Sequence, residues 1–179
     1  MNIINHFKTI TYHKLLVMKY CFKVGLYKQG LLHDLSKYSF IEFSAGIKYY
    51  RGYVSPNGVQ KTVEGYSSAW LHHKGRNRHH FEYWIDYGSN EADGLMGMKM
   101  PINYVVEMFI DRVCASKNYL KENYTDKSSL DYYENRKHYY VLHNDVRKLL
   151  ETLLNKLANE GEDKTFTYIK NDILKNTKS

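Results

Sequence analysis

The chain has 179 residues, 43% of them hydrophobic and 25% charged, with only two prolines; that length suits one domain with its own core, and that composition excludes a mostly disordered or fibrous chain. The net charge of +7 favours anionic partners, whether nucleic acid, phosphorylated metabolites or a membrane surface, but the lysines are spread out and form no basic arm. No leader-like N-terminus and no uncharged apolar run of ~18 residues is present, and Cys21 and Cys114 lie in apolar, helix-like contexts that suit buried free thiols, so the expected location is the cytoplasm, with no membrane partner.

Apolar residues at Ile4, Phe7, Ile10, Leu15, Met18 and Phe22 predict an amphipathic helix from about Ile4 to Val24, with His13 inside it. Gly25 and Gly30 then punctuate a short apolar stretch ending in Leu31 and Leu32, which places His33 and Asp34 on a second helical segment or at its start. Ser39 and Glu42 have the spacing of a capping box, so a helix is expected from about Phe40 to Tyr50. From Arg51 to Lys61, Gly52 and the run Ser55-Pro56-Asn57-Gly58 read as a loop.

Helix resumes near Thr62 and carries Trp70, Leu71, His72 and His73 until Gly75-Arg76-Asn77 interrupts it. A second piece holds His79, His80, Tyr83 and Trp84, and Gly88 to Gly97 is loop. Pro101 opens the clearest helix of the chain, with a stripe of Ile102, Val105, Val106, Phe109, Ile110 and Val113, and Asp111 falls at the border of that stripe. Ser128 to His143 is rich in Tyr and reads as helix. Val146, Leu149, Leu150, Leu153 and Leu157 repeat at helical spacing as far as Gly161, and a last short helix spans Thr165 to Leu174. Little period-2 alternation and no hairpin signal occur anywhere. The expectation is an all-α chain: a single helical domain over 1–179, with a metal-site core at about 5–120 and C-terminal helices at about 128–175.

Chemistry concentrates on the histidines. His33 and Asp34 are adjacent, His13 lies upstream, His72, His73, His79 and His80 fall inside nine residues, and Asp111 follows on a helix. Imidazole nitrogen with carboxylate oxygen suits Zn, Mn, Fe, Co or Ni better than Ca, and without clustered Cys a structural zinc knuckle is not indicated. Adjacent helical residues diverge by roughly 100°, so about two ligands are expected from the His72–His80 cluster. Taken singly, His13 could be a hydrogen-bonded core histidine, Asp34 a helix cap and Asp111 a surface carboxylate; it is the joint order that points to a site for one or two divalent ions. His6 is the fallback for His13, and Glu42, Glu82 and Asp86 are further candidates for the surroundings of the metal.

That order resembles the HD superfamily of metal-dependent phosphohydrolases, an all-helical fold named for its His-Asp doublet. His33-Asp34-Leu35-Ser36-Lys37 is similar to the H-D-x-x-K form of the HD-GYP branch, and His72-His73 is similar to the paired histidines of that branch; its Gly-Tyr-Pro signature is missing, so cyclic dinucleotide hydrolysis is not implied. The combination of the Gly30 to Phe40 segment, the Trp70 to Trp84 segment and Met100-Pro101 leading to Asp111 also looks like a family of small uncharacterised bacterial and phage-type proteins. The resemblance implies that His13, His33, Asp34 and Asp111 hold one metal and that Asp34 bridges to a second one held within the His72 to His80 cluster. It further implies hydrolysis of a nucleotide or other small phosphoester, with Asp34 and Lys37 catalytic and with Lys37, Arg76, Asn77 and Arg78 contacting substrate phosphate. The alternatives are a non-catalytic metal- or nucleotide-binding module and a basic helical nucleic-acid-binding protein, the latter not favoured.

Overall fold

In a computed structural model, which describes residues 2–175, the chain is all-α with one very short ribbon, as its periodicity predicts. Helix α1 (Asn2–Lys23) buries His6, Ile10, His13, Val17, Tyr20 and Cys21. The apolar stripe that predicts this helix is largely the wrong face: Ile4 is 58% exposed, Phe7 49% and Leu15 51%. The helix turns a mixed face inward because that face carries the histidines as well as Val17 and Cys21, which pack into the core.

Gly25, at φ 85°, ends α1, and Leu26 N–H donates to Cys21 C=O at 2.9 Å, so the chain reverses at once into α2 (Tyr27–Leu32). Gly30 permits the close return, since a Cβ there would meet the Cys21 Cβ at 3.0 Å and the Phe22 ring at 3.1 Å. The chain from His13 to His33 is thereby folded into a near-direct antiparallel pass, and Lys14 Nζ ties it by donating to the carbonyls of Leu31 (2.8 Å) and His33 (3.0 Å). His33 caps the C-terminus of α2, and Asp34 adopts the left-handed conformation (φ 54°, ψ 24°) ahead of a 3₁₀ turn, Leu35–Tyr38. The His-Asp doublet is therefore a junction between helical segments, not part of one, and Asp34 makes no capping hydrogen bond. Left-handed backbone costs a non-glycine residue about 1–2 kcal/mol, least for Asn and Asp.

Helix α3 (Phe40–Tyr49) starts on Ser39, whose hydroxyl accepts from Glu42 N–H at 3.5 Å. The segment read as loop contains α4 (Pro56–Glu64): Pro56 occupies the first turn, where its missing N–H costs nothing. Ser-Pro-Asn-Gly here is a helix start, not a turn. After Gly65, α5 (Ser68–Lys74) begins with the Ser67 hydroxyl accepting from Trp70 N–H at 3.0 Å. His79 and His80 lie in the turn that follows and precede a 3₁₀ turn, Phe81–Trp84, so the second helical piece expected there is absent. Instead β1 (Ile85–Tyr87) and β2 (Leu95–Gly97) pair antiparallel, Ile85 opposite Gly97, a ribbon too short to show periodicity.

Helix α6 (Ile102–Leu120) runs from Pro101 through the molecule, with Val105 to Ile110 all buried. Helix α7 (Ser128–Glu134) is half the expected length, since a 3₁₀ turn and extended chain fill 135–143. Helix α8 (Asn144–Glu160) is as read, and α9 (Glu162–Tyr168) starts three residues earlier than the spacing suggests before widening into a π turn, Ile169–Ile173. The core is formed where α1, α6, α8 and α9 meet, around Val17, Phe109, Val113, Leu150, Leu153, Leu157 and Phe166. The histidines line the other side of α1 and α6. Among the described residues no helix is long and apolar enough to cross a membrane.

Candidate metal centre

Five parts of the chain converge beside the core. Helix α1 supplies His13, the α2 junction His33 and Asp34, α5 His73, the following turn His79 and His80, and α6 Glu107 and Asp111. Two groups of four result: His13, His33, Asp34 and Asp111, and Asp34, His73, His79 and His80, each with its ligand-type atoms within 4.8 Å of one another. Asp34 belongs to both. Its Oδ2 faces His33 Nε2 (3.3 Å) and His13 Nε2 (3.8 Å), while its Oδ1 faces His73 Nε2 (3.3 Å) and His79 Nε2 (3.5 Å). The left-handed backbone at Asp34 is what sets this carboxylate between the groups.

The opposite ring nitrogens are held from outside. Glu107 Oε1 lies 3.0 Å from His33 Nδ1 and 3.2 Å from His79 Nδ1, and Glu42 lies 2.6 Å from His72 Nδ1 and 2.7 Å from His73 Nδ1. A carboxylate accepting from Nδ1–H fixes the tautomer in which Nε2 carries a lone pair, as around histidines that bind metals. Those inward atoms are the unsatisfied ones: Nε2 of His13, His33, His79 and His80 and Oδ1 of Asp34 are buried without a hydrogen-bond partner, while Asp34 Oδ2 is met by the Lys37 ammonium alone. Even the 2.9 Å approach of His13 Nε2 to Asp111 Oδ1 is not aligned as a hydrogen bond. Buried polar atoms are nearly always satisfied, so orphans in two tetrads of N and O donors fit divalent cations that bind imidazole and carboxylate.

Charge is arranged to match. Burial pushes the Asp34 carboxyl up, but His33, Lys37 and His73 outweigh it and hold Asp34 well below the usual carboxylate range. Burial likewise raises Asp111, and the His13 and His33 imidazoles beside it more than reverse that and hold it well below the usual carboxylate range. Burial, with His79 and His73 alongside, drives the His80 imidazole well below 6.5, so it is neutral with a free lone pair. His33 and His73 go the other way, because Asp34 overcomes the burial that would lower them. Lys37 Nζ sits 2.5 Å from Asp34 Oδ2 and is half-exposed at the edge of the site, where burial would lower its ammonium but Asp34 raises it.

The model of a family of unknown function, DUF5662, matches residues 2–156. The chain belongs to this family. The matched segment contains every residue of both tetrads, together with Glu42 and Glu107, and leaves α9 outside. No curated protein and no solved structure matches the chain.

Seven of the eight residues read as ligands are brought together: His13, His33, Asp34, His73, His79, His80 and Asp111. His72 is not; its imidazole turns away to Glu42 at the outer margin, where it helps to pin that carboxylate. The cluster contributes three candidate ligands instead of about two, because His79 and His80 lie in a turn and escape the angular divergence of a helix. His6 lies outside the site, against Phe43 and Tyr50. Asn77 is buried and donates to Ser36 Oγ and His73 C=O, both at 2.8 Å, which makes it a brace for α5 and not an open phosphate donor. Arg76 and Arg78 are exposed and line a cavity of about 230 Å³ that reaches His79 and Glu107 from behind, away from Lys37. Glu82 faces a different cleft, and Asp86 is exposed on β1. Glu107 escaped the sequence reading, though a signal exists: it stands four residues before Asp111, inside the most buried run of α6.

Proposed function

We propose that this protein is a metal-dependent phosphohydrolase that acts on a small phosphoester, a nucleotide among the candidates, at a centre holding up to two divalent transition ions. The observation that carries the reading is the pair of tetrads sharing Asp34, with inward lone pairs left unsatisfied and outward nitrogens braced by Glu42 and Glu107. The similarity of the His13, His33-Asp34, Asp111 order to the HD superfamily supports the same reaction class.

A divalent ion in such a site supplies Lewis acidity, bringing the pKa of water to about 7 and offsetting charge on phosphoryl oxygens. The residues do the rest. Asp34, held ionised, spans the two tetrads and keeps them at a fixed separation. Asp111 is the most exposed member of the first tetrad, with 17% of its side chain accessible, so substrate approaches along its side. Lys37 stands at that same edge as an ammonium and donates to a non-bridging or leaving oxygen of the phosphoryl group. The +7 net charge favours arrival of an anionic substrate.

The test is hydrolysis of a phosphoester panel by the parent protein reconstituted with Mn, Fe, Zn, Co or Ni. Turnover that falls by about 10²-fold or more in Lys37→Ala, and is lost in Asp34→Ala, is the expected result. Metal-saturated protein that turns over no member of the panel, or an Asp34→Ala variant as active as the parent, would overturn it.

A further inference from the structure

Beside α5, with Trp70 between it and the tetrad residues His73 and His80, lies a cleft of about 410 Å³, within the range of small-molecule sites, ~300–1,000 Å³. Its walls are aromatic. Trp70 is steadied by an edge contact with His80 (centroids 4.8 Å apart) and by the tilted ring of His73 (5.7 Å), and Phe81 lies 5.0 Å from Tyr140. Lys61 and Lys74 bring positive charge to this lining.

Among these rings stands one acid, Glu82, mostly buried, whose Oε2 is buried without a hydrogen-bond partner. Neither Glu82 Oε2 nor the nearby Arg112 Nε has a hydrogen-bond partner among the described residues. An acceptor left unpaired in this way costs about 1–3 kcal/mol, which a ligand bringing N–H donors would offset. Flat aromatic walls select a planar ring that stacks, worth about 1–3 kcal/mol per base, and the lysines select an anionic group attached to it. Among nucleobases, guanine presents two neighbouring N–H donors on one edge, its ring N1–H and its exocyclic amine, and these match a carboxylate. Adenine presents a donor beside an acceptor, which would face the Glu82 oxygens with one lone pair against another.

We propose that this cleft is a guanine-nucleotide binding site, in which Glu82 accepts from the base edge, Trp70 and Tyr140 flank the ring, and Lys61 and Lys74 meet the phosphate. It is a recognition site in its own right, and it does not depend on the tetrads being a hydrolytic centre.

Calorimetric titration of the full chain, freed of metal by chelation, with GMP, AMP, guanosine and inorganic phosphate tests it. GMP should bind, AMP should bind about tenfold or more weakly, and phosphate alone should show no measurable affinity. Glu82→Gln, of the same shape but with amide N–H donors facing the base donors, should weaken GMP by about tenfold or more, and Lys74→Ala should weaken GMP while leaving guanosine unchanged. Absence of GMP binding, equal affinity for AMP, or undiminished GMP binding by Glu82→Gln would overturn the proposal. So would GMP binding that requires added Zn²⁺ or Mn²⁺, since that places the nucleotide at the tetrads. Should Glu82→Gln fail to fold by circular dichroism, the GMP against AMP comparison on the parent chain decides alone.

Discussion

Glu107 offers the sharpest perturbation of the metal centre because it lies outside both tetrads yet braces one histidine in each of them. Its Oε1 accepts from His33 Nδ1 at 3.0 Å and from His79 Nδ1 at 3.2 Å, and it is only 4% exposed. Glu107→Gln keeps the shape and removes the charge: the amide presents one acceptor and one donor, so one imidazole faces an N–H or loses its anionic partner. Loss of one such brace typically costs 10–100-fold in metal affinity, or about 1.4–2.7 kcal/mol. Because the two histidines belong to different tetrads, both ions should weaken by that factor, instead of one. Competition against a chromophoric zinc chelator reads the two affinities separately, and Lys37→Ala, at the edge of the site, serves as the comparison. Glu107→Gln that binds both equivalents of zinc within about threefold of the parent would refute the assignment of Glu107 as the positioning residue.

Other consequences follow from particular contacts. A Cβ at Gly46 would stand 2.1 Å from His6 Nε2, so Gly46→Ala in α3 should lower stability by about 1–3 kcal/mol through overpacking, against the ~1 kcal/mol gain that helix propensity alone predicts; a rise in Tm would contradict the packing. Burial and nearby Lys37 lower the His6 pKa from 6.5 to about 4, so folding prefers its neutral form. Its contribution is full above pH 6.5 and is lost as pH falls toward 4, on the order of 3 kcal/mol over that window; chemical denaturation of His6→Gln against the parent should show a shallower loss between these limits, and parallel curves would count against it. Cys21 and Cys114 are fully buried and burial raises both thiols, so neither should react with a thiol reagent until the chain is unfolded, whereas a prompt reaction of either in the native protein would show the α1–α6 seam to be open.

What could be read before the structure was the part encoded in local pattern. The Ile102 to Val113 stripe and the Val146 to Leu157 repeat are long enough for their 3.6-residue period to dominate, and α6 and α8 appear where that period puts them. Short elements were misread for specific reasons. Pro56 starts α4, because the first turn of a helix and the first corner of a turn demand the same φ. On α1 the period was right and the face wrong, since the buried side gives up hydrophobicity to place His6 and His13. At the site, chain order alone was enough to select seven residues that converge, because imidazole and carboxylate side chains in such density have few other uses. It could not show that His72 turns outward to Glu42, nor that Glu107 lies behind His33 and His79, because both depend on helix rotation and on contacts between residues far apart in sequence.

The central claim, that the two tetrads hold metal, is met most directly by the metal content of protein purified without a metal-affinity tag, measured by inductively coupled plasma mass spectrometry for the parent chain and for His33→Ala/Asp34→Ala. Since Asp34 is shared by both tetrads, one or two equivalents of Mn, Fe, Zn, Co or Ni in the parent should disappear together in the double variant. No metal in either protein after incubation with these ions, or equal metal in both, would contradict the account and leave the histidines as a hydrogen-bonded, structural cluster.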